Sequence, residues 1–164
     1  MKHSFLIFLF FVSVIGSASS CDKKNRTSNT TIENSDDNMQ STQISIRIGS
    51  KTFTATLLDN NSAKAFKEML PMTITMTELN GDEKYYDLPK NLPTNSSNPN
   101  TIQNGDLMLY GSRTVVLFYK SFQTSYSYTN LGKIDDPSGL SVALGLGNVT
   151  VTFEKELPLI QYSL

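Results

Sequence analysis

The sequence predicts a mainly β domain: a closed eight-stranded antiparallel β-barrel capped by two short helices. Short runs of alternating apolar and polar residues recur about eight times within roughly a hundred residues, separated by Gly, Asn, Pro or Ser. An antiparallel set of that size either stacks as a sandwich or closes as a barrel. The position of two helical stretches decides between them. One follows the second strand and the other precedes the last, which suits a closed barrel with covered ends.

The first strand is read from "QISIRIG", where Ile44, Ile46 and Ile48 share a face, and the second from "KTFTATL", with Phe53, Ala55 and Leu57 doing the same. Gly49-Ser50 between them makes a hairpin turn. In "NNSAKAFKEML" the period changes to that of a helix, with Ala63, Phe66, Met69 and Leu70 on one side. Asn60, Asn61 or Ser62 caps it and Pro71 stops it. "MTITMTEL" alternates again, and Asn80-Gly81 turns the chain into "EKYYDLP". From Pro89 to Asn104 the sequence specifies no regular element, only a long polar loop of the kind that is often functional. Two further strands, Asp106 to Tyr110 and Thr114 to Tyr119, flank Gly111-Ser112-Arg113. An aromatic loop and a strand at "TNLGKI" follow. Asp136-Pro137 reads as an N-cap with proline at the first helical position, opening a helix that Gly145 or Gly147 closes. "VTVTFE" supplies the last strand, with Val149, Val151 and Phe153 in alternation.

Outside residues 43–156 the chain reads differently. Lys2, an apolar run from Phe5 to Ile15 and small residues up to Cys21 have the layout of a signal peptide over residues 1–20. The run is shorter than the roughly 20 residues a bilayer span needs. Ala18-Ser19-Ser20-Cys21 resembles a bacterial lipobox, which implies an acylated Cys21 and a membrane anchor in the cell envelope. Leucine is usual in such boxes where Ala18 stands, so a soluble secreted or periplasmic form is the alternative. Residues 21–42 are rich in Asn, Ser, Thr and charge and bury too little to order themselves, which predicts a flexible tether. Residues 157–164 form a short C-terminal tail.

Composition excludes several function classes. The 14 basic and 15 acidic residues nearly cancel, so no broad positive field exists to hold a nucleic acid. The sole histidine, His3, lies in the expected signal peptide, and Cys21 is the sole cysteine. Histidine-based triads, Cys-His nucleophiles and zinc sites are thereby excluded from the folded part. No metal or other cofactor is expected. Asp82-Glu83 and Asp135-Asp136 are explained by turn and cap roles. Gly145-Leu146-Gly147 follows a helix, the wrong context for phosphate. Arg113 in its tight turn and Arg47 opposite the isoleucines read as solvent-facing charges.

The element order is that of the cyclophilin fold. The phrases "TFTATLLDNNSAKAFKEMLPMTITM", "NGDEKYYDLP", "NPNTIQNGDLMLYGSRTVVLFYKSFQTSYSYTNLGKIDD" and "GLSVALGLGNVTVTFE" resemble a family of small bacterial cyclophilin-like domain proteins. The likeness spans Gln43 to Glu154. True cyclophilins are prolyl isomerases, and the resemblance implies that their essential arginine would stand on the third strand, where "MTITMTEL" has none. Their groove tryptophan and histidine are also unmatched. Twisting a prolyl amide meets a barrier of roughly 20 kcal/mol, and without that donor the main means of stabilising the twisted state is lost. Tyr85, Tyr86, Phe118, Phe122, Tyr126 and Tyr128 lie close to the elements that line the cyclophilin groove, and they are the expected binding residues. The expectation is therefore a lipid-tethered, monomeric binding module for a peptide or small ligand; the alternative is a weak or altered prolyl isomerase acting on exported proteins.

Overall fold

The computed structural model describes residues 42–156. The signal peptide, Cys21, nearly all of the tether and the C-terminal tail lie outside the described residues.

Eight strands close into an antiparallel barrel. In chain order they are β1 (Gln43–Ile48), β2 (Lys51–Leu57), β3 (Met72–Leu79), β4 (Glu83–Asp87), β6 (Asp106–Tyr110), β7 (Thr114–Phe118), β9 (Thr129–Ile134) and β10 (Val149–Lys155). Around the barrel the order is β1, β10, β3, β4, β7, β6, β9, β2 and back to β1. The hairpin expected at Gly49-Ser50 pairs Ile46 with Phe53 and Ile44 with Ala55, so away from the turn one face of both strands is apolar. Asn80 and Gly81 adopt positive φ of 57° and 74° and turn β3 into β4, as an Asn-Gly pair favours. Barrel closure between β2 and β9 depends on Gly132. A Cβ there would stand 2.4 Å from the Thr56 carbonyl oxygen and 2.8 Å from Leu57 Cα.

The interior is packed with aliphatic and aromatic side chains from all eight strands, among them Ile44, Ile46, Leu107, Leu109, Leu117 and Phe153. Helix α1 (Asn61–Glu68) adds Phe66, whose ring meets Phe153 edge-on at 5.6 Å. Of the three capping candidates Asn60 is the cap. Its Oδ1 accepts from the Ala63 amide at 2.8 Å while its Nδ2 donates to the Asn130 carbonyl at 2.9 Å. Helix α2 (Leu140–Leu144) adds Leu140 and Leu144 to the same core and ends at Gly145. Its start differs from the expectation at Asp136-Pro137. Asp136 instead closes a local turn by accepting from the Ser138 amide at 2.9 Å, and left-handed Gly139 is the N-cap. An Asp side chain that reaches two residues ahead competes with capping, and here the competing turn prevails.

The loop read as having no regular element contains one. Thr101–Ile102 (β5) pairs antiparallel with Phe122–Gln123 (β8), forming a two-stranded sheet separate from the barrel. Strands two residues long carry no period, so only pairing reveals them.

One charged network lies on the inner side, around a fully buried lysine. Lys84, on the inward face of β4, is fully buried and ion-paired to Glu78. Its Nζ also donates to the carbonyls of Gly145 at 2.9 Å and Gly147 at 2.7 Å, and it lies 5.2 Å from the centre of the Tyr119 ring. Glu78 further accepts from the Tyr119 hydroxyl at 2.8 Å and the Gly81 amide at 2.7 Å. Burial pushes the Glu78 carboxyl up, but the hydrogen bonds from Lys84, Tyr119 and Gly81 outweigh it and hold it below its ordinary value. The hairpin turn and the loop before β10 are thereby fixed to each other.

Candidate functional site

Successive side chains of a strand point to opposite faces. Inward-facing Lys84, Leu107, Leu109, Val115 and Leu117 therefore leave Glu83, Tyr85, Met108, Tyr110, Val116 and Phe118 on the outside of β4, β6 and β7. That outer face is not left to water. Ile102 from β5 and Tyr128 join Met108, Val116 and Phe118 in a second buried cluster, with Tyr85 and Phe122 packed on it. Reciprocal backbone hydrogen bonds between Ser97 and Tyr128, both 3.0 Å, hold the covering segment in place.

The cover is incomplete. Between it and the β3–β4 hairpin lies a cavity of about 480 Å³, lined by Leu79, Asn80, Asp82, Glu83, Tyr85, Asp87, Tyr110, Thr114, Val116, Phe122, Tyr126 and Tyr128. Its aromatic wall is a contiguous lattice. Tyr110 meets Tyr126 edge-on at 6.2 Å and lies tilted against Tyr128 at 5.7 Å, while Tyr128 meets Phe118 edge-on at 5.5 Å and Phe118 meets Phe122 at 5.8 Å. Edge-to-face contacts of this kind fix ring orientation as well as excluding water.

Of the six aromatic residues expected to bind, Tyr85, Phe122, Tyr126 and Tyr128 line this cavity. Tyr86 does not, because alternation turns it inward against the barrel core. Phe118 is fully buried beneath the wall and supports Phe122 and Tyr128 rather than meeting a ligand. Arg113 lies on the exposed turn between β6 and β7, 3.8 Å from Asp87, and Arg47 is half exposed and 3.9 Å from Glu154.

Eight further residues line the cavity beyond those the sequence pointed to, and two of them, Tyr110 and Glu83, bear most on its chemistry. Tyr110 shares the outward register of Met108 on β6, a signal already present in the alternation. Glu83 was assigned to a turn, yet it is the first residue of β4 and shares the face of Tyr85. Its carboxylate accepts no hydrogen bond and has no cationic partner among the described residues. Burial pushes it up to about 7, with help from the nearby charges of Asp82 and Glu78. Burial also raises the Tyr128 phenol, and the charge of Glu83 adds to that. The other two carboxylates are neutralised from outside. Asp82 pairs with Lys120 at 3.4 Å; Asp87 pairs with Arg113 and accepts from the Thr114 hydroxyl at 2.6 Å.

The lining contains no histidine, arginine or lysine. Among the described residues no three of His, Cys, Asp and Glu stand together to hold a metal ion. The site offers phenol hydroxyls, ring faces and one unpaired carboxyl able to change protonation near neutrality.

Comparison with known proteins gives the fold a family. No curated protein matches the chain. A hypothetical protein from Archaeoglobus fulgidus, solved in solution, is similar at 16% identity with a TM-score of 0.48, covering 71% of this chain and 96% of its own. A profile of the cyclophilin-like family matches residues 46–154, from β1 to the last barrel strand. The chain therefore belongs to the cyclophilin-like family.

Proposed function

We propose that the protein is a binding module, tethered to a membrane through a lipid on Cys21, whose outer-face cavity takes a short peptide segment or a ligand of similar size without transforming it. The observation that carries this reading is the cavity of about 480 Å³ walled by Tyr85, Tyr110, Phe122, Tyr126 and Tyr128. That volume lies within the roughly 300–1,000 Å³ usual for ligand sites, and tyrosines provide an apolar body with a hydrogen-bonding tip. The absence of an arginine from the third strand and from the lining favours binding over prolyl isomerisation.

Exchange NMR of the full-length chain with a panel of X-Pro peptides tests both readings at once. Shifts of the Tyr85, Tyr126 and Tyr128 amides, with cis/trans exchange at its uncatalysed rate, are expected. Faster exchange at low protein concentration would make the protein an isomerase, and Arg113, paired with Asp87 at the cavity, would be the first residue to mutate. For the tether, Cys21→Ser is expected to move the protein from the membrane to the soluble fraction.

A further inference from the structure

We propose that this cavity selects an organic cation, an amine or guanidinium group carried on an apolar body. The inference rests on the reading above that the cavity is the ligand site, and it commits that site to one charge class. Three carboxylates line the cavity and no basic side chain does. Lys120 and Arg113 already answer Asp82 and Asp87 from outside the lining. Glu83 is left without a partner, on the face it shares with Tyr85.

Each class of ligand meets this arrangement differently. An anion would enter a partly desolvated space against the charge of Glu83. A neutral apolar ligand would bury that carboxyl further and leave it unpaired, which a polar group tolerates poorly. A cation gives Glu83 its missing partner, and its apolar body covers ring surface. Ring faces are themselves attractive to cations, more so when water is excluded. The volume admits a body about the size of an amino-acid side chain with its flanking backbone.

The charge state of Glu83 then sets the affinity. It is faced by Asp82 and Glu78 from the β3–β4 hairpin, by Tyr128 from the covering segment and by Tyr119 just beyond β7. The two neighbouring lysines are engaged elsewhere, Lys84 on Glu78 inside the barrel and Lys120 on Asp82. With Glu83 pushed up to about 7, it is mostly neutral at pH 5.5 and mostly ionised at pH 8.5. If only the ionised form binds, affinity for a cation rises up to about 30-fold between those two values. Burial of the acid thus works as a pH-dependent gate on the ligand.

The test is an amide-shift titration of the full-length chain with benzylammonium, benzyl alcohol and benzoate, at pH 5.5 and 8.5, alongside an acetylated Ala-Lys-Ala amide and its norleucine counterpart. Benzylammonium is expected to move the Glu83, Tyr85 and Tyr128 amides and to bind about ten-fold or more tighter than benzyl alcohol at pH 8.5. Its affinity should fall at pH 5.5 while that of benzyl alcohol stays level. Glu83→Gln should remove both the preference and the pH dependence; should that variant not fold, the wild-type titration at the two pH values decides alone. Tighter binding of the lysine peptide than of benzylammonium would assign the cation to a protein side chain, and the reverse to a free amine. Equal or better binding of benzyl alcohol or benzoate at the same amides would overturn cation selection while leaving the cavity as the ligand site. If neither these probes nor the X-Pro peptides move the cavity amides, both readings fail.

Discussion

Strands β6 and β7 bury residues on both of their faces, and they do so by different means. On the inner face Leu107, Leu109, Val115 and Leu117 are fully enclosed by a barrel whose backbone hydrogen bonds run right round and leave no edge. On the outer face Met108, Val116 and Phe118 are covered by a segment whose strand pairing is the two-residue match of β5 with β8 and the Ser97–Tyr128 bridge. Those four inner residues are 0% exposed, whereas the outer side gives way at Tyr110 on β6 and at Tyr126 in the cover, which are 47% and 61% exposed. A cover whose regular strand pairing is only two residues long opens at lower free energy than a closed barrel, which is where a binding site belongs.

The two glutamates of the β3–β4 hairpin repeat the contrast. Glu78 sits with Lys84, Tyr119 and the Gly81 amide, and it is held ionised. Glu83 lies on the other face with no such donors and is pushed toward neutrality. Two identical side chains on one hairpin thus differ because one received partners and the other was left to the cavity.

The largest effect expected on the inner side comes from Lys84→Ala, which leaves Glu78 without its cation and frees the Gly145 and Gly147 carbonyls. A loss of about 3–5 kcal/mol in urea unfolding is expected. Adding Glu78→Gln should recover part of it; no recovery would mean that packing rather than charge is what Lys84 supplies.

Adjacent residues of β6 compare the faces directly. Leu107→Ala and Met108→Ala should both fall within about 2–5 kcal/mol, with Leu107 the costlier because the closed barrel collapses less readily around a cavity than the covering loop does. Equal costs would show the cover to be as rigid as the barrel.

Glu83→Gln should act in the opposite direction at high pH. Because the Glu83 carboxyl is raised in the folded state, its contribution to stability is complete below its ordinary value and is lost as pH rises through about 7. The wild type should therefore lose about 1 kcal/mol from this group between pH 5 and pH 8, a figure reduced by its partial exposure to water. The variant should lack that loss and melt higher at pH 8. Glu78, held low, follows the reverse sign, so both proteins should still lose its contribution as pH falls below the usual carboxylate range. A wild-type melting temperature flat from pH 5 to 8 would contradict the burial assigned to Glu83.

Arg113→Ala should change stability least, by no more than about 0.5 kcal/mol, since its ion pair with Asp87 is more than half exposed on both sides. A larger loss would place the β6–β7 turn among the elements that hold the outer cover.

Much of this was legible in the chain. The alternation of Ile44, Ile46 and Ile48 opposite Phe53 and Ala55 determines a hairpin by itself, because a period of two leaves one way to bury an apolar face. Asn80-Gly81 determines its turn by backbone conformation alone, and the helix after β2 announces its cap at Asn60. The same alternation also says that Tyr85 and Tyr86 cannot share a face. Which of the two points outward was decided by the barrel, since β4 takes its inside from the strands on either side. Tertiary structure alone pairs β5 with β8 across about twenty residues. It alone brings the hairpin of Glu83 to the wall of Tyr110, Tyr126 and Tyr128, and it leaves that carboxyl without a partner. Local sequence carries period and turn chemistry; the environment of a titratable group is a sum over neighbours distant in the chain, and only the closed fold assembles them.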